Sequence, residues 1–120
     1  MKRSESGSIG EKVAAHFLKK KGYRIIETNF RCRVGEIDIV AEKDGCLVFI
    51  EVRTKTSHKF GMPEESVTTA KKERLVNTAL TYIAGLANAP DMWRIDFVGV
   101  EMNQQGKVIR LDLIENAVIR

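Results

Sequence analysis

A chain of 120 residues is the size of one domain, and an apolar content of 43% lets it bury a core without disulfides or a structural metal. Its formal charge of +4 is a moderate basic excess; no apolar run approaches a membrane span and no charged start followed by an apolar stretch marks a secretion signal, so a cytoplasmic protein with no membrane partner is expected. Cys32 and Cys46 lack metal-ligand spacing and His16 and His58 stand alone, which argues against a zinc site or a Cys–His nucleophile pair.

Residues 1–7 are polar and serine-rich and read as a flexible tail, leaving 8–120 as a single domain. Ser8 followed by Glu11 matches a capping box, and Ile9, Val13 and Phe17 with Ala14 and Leu18 recur at helical spacing, so a first helix is predicted from Ser8. Gly22 ends it, behind lysines that suit a helix C-terminus. Residues 23–30 read as a strand. Two further strand-like segments, 35–40 and 47–53, flank Asp44-Gly45, the strongest short-range hairpin signal.

Residues 55–62 form a polar loop, and Pro63-Glu64-Glu65 looks like the first turn of a second helix that carries Val67, Leu75, Val76, Ala79, Leu80, Ile83 and Leu86 toward the core. Strands over 93–102 and 108–114 follow, joined through Gln104-Gln105-Gly106. A helix between the third and fourth strands permits a right-handed parallel crossover. The predicted class is therefore α/β, a mixed sheet flanked by helices in the order helix-strand-strand-strand-helix-strand-strand.

The hairpin carries the most informative residues. Asp is depleted in strands, and Glu less so, so acids at interior strand positions call for a reason. A two-residue type I′ loop at Asp44-Gly45 sets Val40 opposite Phe49, Asp38 opposite Glu51 and Glu36 opposite Arg53. Asp38 and Glu51 then share one face, where like charges destabilise unless a cation or a proton lies between them. Hard oxygen ligands of this kind suit magnesium or manganese. A three-residue loop, Lys43-Asp44-Gly45, would instead put the two acids on opposite faces.

Basic residues cluster on either side of the acid pair in sequence: Lys19–Lys21, Arg24, Arg31 and Arg33, then Arg53, Lys55, His58 and Lys59, then Lys71, Lys72 and Arg74. Any one cluster is accounted for as a solvated helix end or loop. Around an acid pair they suit a phosphodiester, and Arg31, Arg33, Lys59 and Lys72 are the candidate nucleic-acid contacts. Glu11 is explained by a capping box alone, Glu36 by a cross-strand pair with Arg53, and Asp96 by an ion pair with Arg94.

Asp38, then Glu51-Val52-Arg53 after an apolar strand, resembles the signature of the PD-(D/E)xK, or restriction-endonuclease-like, nuclease superfamily. Gly10-Glu11, Gly22-Tyr23, Asn29-Phe30-Arg31, Gly35–Val40, Phe49–Arg53, Phe60-Gly61-x-Pro63-Glu64 and Arg94-x-Asp96-Phe97-Val98 are similar, more closely, to the YraN-like family of small bacterial proteins. The resemblance implies a restriction-endonuclease-like fold related to Holliday-junction resolvases. It implies magnesium- or manganese-dependent endonuclease activity on DNA, including branched or junction DNA, and a homodimer that cuts paired strands. By the same resemblance Asp38, Glu51 and the Val52 carbonyl are metal ligands, and Glu11 is an accessory helical acid.

The position that should hold lysine is Arg53, which keeps the charge but cannot act as a base. Lys55 and Lys71 are the substitutes, and the alternative is a binding module of the same fold without catalysis.

Overall fold

The computed structural model describes residues 3–56 and 68–118, with side chains from residue 7 onward. The elements follow the predicted order: α1 (Arg3–Lys20), β1 (Arg24–Arg31), β2 (Glu36–Lys43), β3 (Cys46–Thr56), α2 (Thr69–Ala84), β4 (Trp93–Met102) and β5 (Val108–Ile114). Among the described residues they build one mixed sheet of five strands in the order β1-β2-β3-β4-β5, in which only β3 and β4 run parallel. That pair is the one bridged by α2, since parallel neighbours need a long crossover and a tight turn cannot supply it.

Asp44 and Gly45 have φ of 50° and 79°, the two positive values that define a type I′ turn. Lys43 accordingly faces Cys46 and Val40 faces Phe49, the register that the two-residue loop predicts. The three-residue alternative is excluded.

The helices cover opposite faces. Ala14 and Leu18 of α1 pack with Ile39, Ala41, Val48, Ile50, Val98 and Val100. Leu75 and Ala79 of α2 pack with Val40, Phe49, Ile95 and Phe97 on the other side. Strand β3, covered on both faces, is buried without a break from Cys46 to Glu51, as central strands are. Phe49 anchors the α2 side, its ring set edge-on to Tyr82 and Trp93 at 5.6 and 5.8 Å.

Two boundaries depart from expectation. Helix α1 begins at Arg3, inside the segment expected to be a tail, so Ser8 lies within the helix and is not its N-cap. No proline interrupts 3–8, and a helix held by tertiary packing propagates backward at little cost. Its C-terminus is as predicted: Gly22 has φ 94°, with Tyr23 N–H donating to the Leu18 carbonyl and Gly22 N–H to that of Lys19, a Schellman motif. Helix α2 starts at Thr69 rather than Pro63, because extended Thr68 caps it by accepting from Lys71 N–H. The expected loop with His58, Lys59, Phe60 and Gly61, the Pro63-Glu64-Glu65 turn and Val67 lie outside the described residues. Among the described residues no helix is long and apolar enough to cross a membrane.

Candidate metal and nucleic-acid site

The β2–β3 ladder runs from the turn as far as Ile39 opposite Ile50. Asp38 and Glu51 stand one residue further in the same register, and there the strands part. The backbone N–H of Val52 donates to Asp38 Oδ2 at 2.7 Å, so a side chain takes up the donor where backbone pairing ends. Ile37 joins the cluster of Val40 rather than that of Ile39, so strict alternation lapses across Asp38. In a strand the N–H and C=O of one residue point the same way; the Val52 carbonyl therefore also faces the seam that holds Asp38.

Glu51 is 4% exposed, on the α2 face of the central strand. Its Oε2 receives two cations: Lys71 Nζ from the first turns of α2 at 3.2 Å, and Arg53 Nη1 from the same strand at 3.7 Å. Asp38 is hydrogen-bonded to Glu51, and its carboxyl is pushed up to about 8. Burial is the main cause, followed by the charge of Glu51 and the hydrogen bond to it; the Val52 N–H opposes the shift and Glu11 adds to it. The direction of the shift favours a proton on Asp38 over two free charges when no cation is bound.

Two carboxyls in contact at a buried point need a proton or a cation to offset their charge. The donors here, Asp38, Glu51 and the Val52 carbonyl, are all oxygen, which fits a hard divalent ion. Among the described residues no three His, Cys, Asp or Glu side chains converge as a ready cluster, so such an ion would fill its shell with water or substrate oxygen.

Glu11 approaches from α1. Gly10 sits so close to β3 that a Cβ there would collide with Thr54 Oγ1, so the absence of a side chain lets α1 lie on the strand next to the site. With Ser8 inside the helix, the capping-box account of Glu11 no longer holds. Glu11 is half-buried, and its carboxyl is raised by burial, then by Glu36, with Asn29 and Arg31 lowering it and Glu51 raising it again. It therefore stands at the rim of the acid pair.

The remaining predicted residues divide. Glu36 pairs with Arg31 at 3.2 Å, not with Arg53, because β1 and β2 stay in register to Arg31 and Glu36 while β2 and β3 have parted. Arg31 and Arg33 are exposed around the β1–β2 turn, and Lys72 is half-buried on α2. Lys55 faces Glu101 on β4, roughly 13 Å along the strand from Glu51. Lys59 lies outside the described residues.

Asp96 has the structural role expected of it. Fully buried, it accepts from Tyr23 Oη at 2.7 Å, Arg94 Nε at 2.9 Å and Asn116 N–H at 2.9 Å.

Sequence reasoning did not single out the cleft beside the site. About 170 Å³ in volume, it is lined by Gly35, Glu36, Lys71, Arg74, Leu75 and Thr78. Gly35 makes room for Thr78, whose Oγ1 would be 2.8 Å from a Cβ at that position. The neighbouring Lys71 and Arg74 were the visible signal.

A family model described as uncharacterised protein family UPF0102 matches residues 10–115. A UPF0102 protein of Dehalococcoides mccartyi is 49% identical over 116 residues, 97% of this chain and 94% of that one. One from Symbiobacterium thermophilum is 47% identical over 111 residues, covering 92% and 93% of the two chains. A third, from Caldicellulosiruptor saccharolyticus, is 42% identical over 117 residues, covering 98% and 99%. The match therefore spans the sheet, both helices and every candidate site residue, and the chain belongs to the UPF0102, YraN-like family.

Proposed function

We propose that this protein is a metal-dependent endonuclease of the PD-(D/E)xK type that hydrolyses phosphodiester bonds in DNA, with branched or junction DNA as the favoured substrate. The observation that carries the reading is the pair of carboxyls, buried Glu51 and half-buried Asp38, at the point where β2 and β3 separate. Asp38, Glu51 and the Val52 carbonyl hold magnesium or manganese, which when bound supplies Lewis-acid polarisation of the phosphate and activation of water. Arg53 and Lys71, converging on Glu51, offset the charge that develops on the phosphate. Glu11 orients water from the α1 side. Arg31, Arg33, Lys59 and Lys72 contact backbone phosphates. A homodimer places two such sites on paired strands, and sedimentation with and without DNA tests it.

A specific observation favours a second reading: Arg53 occupies the lysine position, and a guanidinium does not take up a proton. On that reading the protein binds DNA without cutting it.

Cleavage of linear, single-stranded, flapped and four-way DNA with magnesium or manganese, comparing wild type with Asp38→Ala and Glu51→Ala, separates the two. Activity lost in both folded variants supports the nuclease; retained binding without cleavage by the wild type supports the binding module.

A further inference from the structure

We infer that Lys71 is the resident cation of the acid pair and leaves it when a divalent ion loads, so that metal occupancy controls whether this lysine faces Glu51 or the substrate. The inference rests on the metal reading proposed above and adds a regulatory role for one side chain.

The geometry points to Lys71 in three ways. Its Nζ stands 3.2 Å from Glu51 Oε2, nearer than the Arg53 guanidinium at 3.7 Å, and the carboxylate between them is almost fully buried. Magnesium binds a carboxylate oxygen at about 2.1 Å, inside the distance at which Lys71 stands. A divalent charge and an ammonium held on the same buried oxygen repel strongly where water cannot screen them, so the two compete for Glu51.

Arg53 belongs to the strand that carries Glu51, whereas Lys71 reaches in from another element on a flexible four-carbon stem. It has room to leave, since it lines the cleft of about 170 Å³ beside the site. It also has a direction to leave in: Glu36 lines the same cleft, so the released ammonium keeps a carboxylate beside it, and Arg74 lines the cleft as a second positive charge for a phosphate.

The consequence is a coupling between metal and polyanion. With Lys71 on Glu51, the protein neutralises its own acids; with metal there, the same positive charge is available to a phosphate. Metal and nucleic acid then each strengthen binding of the other through Lys71, reciprocally.

The test is manganese binding, followed by the electron-paramagnetic signal of the free ion and by calorimetry, on wild type, Lys71→Met, Lys71→Arg and Asp38→Asn at pH 8. Removing the competing charge is expected to tighten manganese binding in Lys71→Met about tenfold, while Lys71→Arg, which keeps the charge, does not tighten it. In wild-type protein carrying isotope-labelled lysine, magnesium is expected to move the Lys71 side-chain resonance, identified by its loss in Lys71→Arg, toward the solvent-exposed lysines. Manganese bound by wild type and lost in Asp38→Asn, but no tighter in Lys71→Met, overturns the exchange and leaves the metal site standing. No manganese binding by wild type or Lys71→Met overturns the metal reading itself.

Discussion

Val52 gives its backbone N–H to the carboxylate of Asp38 at 2.7 Å, at the first position where β2 and β3 no longer pair. One hydrogen bond therefore does two things. It satisfies a donor that the parting of the strands would otherwise strand, and it holds Asp38 beside Glu51 despite their repulsion. An acid pair inside a sheet is costly; the surrounding core, buried on both faces of β3, holds it in place.

The first prediction concerns pH. Asp38 releases its proton near pH 4 in the unfolded chain but only at about 8 in the folded one. Between those values the folded state binds the extra proton, so the contribution of this carboxyl to the stability of the metal-free protein falls as pH rises across that window. Asp38→Asn keeps an acceptor for Val52 and removes the charge, so its profile lacks this fall and it is the more stable protein at pH 8. Urea unfolding with chelator at pH 5, 6, 7 and 8 reads both. A wild-type stability that rises over this range is the opposite of what is expected.

Gly10 supports a prediction about position rather than charge. A methyl group there collides with Thr54 Oγ1, so Gly10→Ala must lift α1 from β3 and carry Glu11 away from the acid pair. A cost of about 1–3 kcal/mol is typical of such overpacking. Combining it with Thr54→Ala removes the colliding hydroxyl and recovers part of that loss. Thermal melts of the two single variants and the double show it as a non-additive cycle.

These contacts also show where the sequence was legible. Asp44-Gly45 specified the hairpin register, because only positive φ at both positions gives a type I′ turn, and that register aligned Asp38 with Glu51. Gly22 marked the end of α1 for a similarly local reason. What could not be read depended on distant partners. Glu36 looked paired with Arg53 because register was counted from the turn, but the strands part at Asp38 and Arg31 takes its place. Ser8 matched a cap by spacing, yet the helix continues to Arg3. The approach of Gly10 to Thr54 joins segments 44 positions apart, and no local pattern encodes it.

Tyr23 supplies a control on the opposite face of the sheet. Its hydroxyl donates to buried Asp96, which Arg94 and Asn116 also contact, and burial and the Asp96 carboxylate raise the Tyr23 hydroxyl well above the usual phenol range. Tyr23→Phe leaves that oxygen with one donor fewer and is expected to cost about 1–3 kcal/mol. Because the network is built around structure and not the acid pair, manganese affinity measured on the folded variant should equal that of wild type.

Arg53 decides between cutting and merely binding. If a positive charge suffices at this position, Arg53→Lys changes cleavage little, since both side chains offset developing negative charge. If the group must also exchange a proton, the arginine is the defect, and Arg53→Lys gains rate by about 10²-fold or more, the usual contribution of general acid–base catalysis. Lys71 is the complication, because it already places an ammonium on the same carboxylate oxygen. The informative comparison is therefore Arg53→Lys with and without Lys71→Met on the best DNA substrate. We expect the lysine at 53 to matter little while Lys71 is present and to restore cleavage when it is absent. A gain of the same size in both backgrounds would mean that Lys71 does not stand in for the missing lysine.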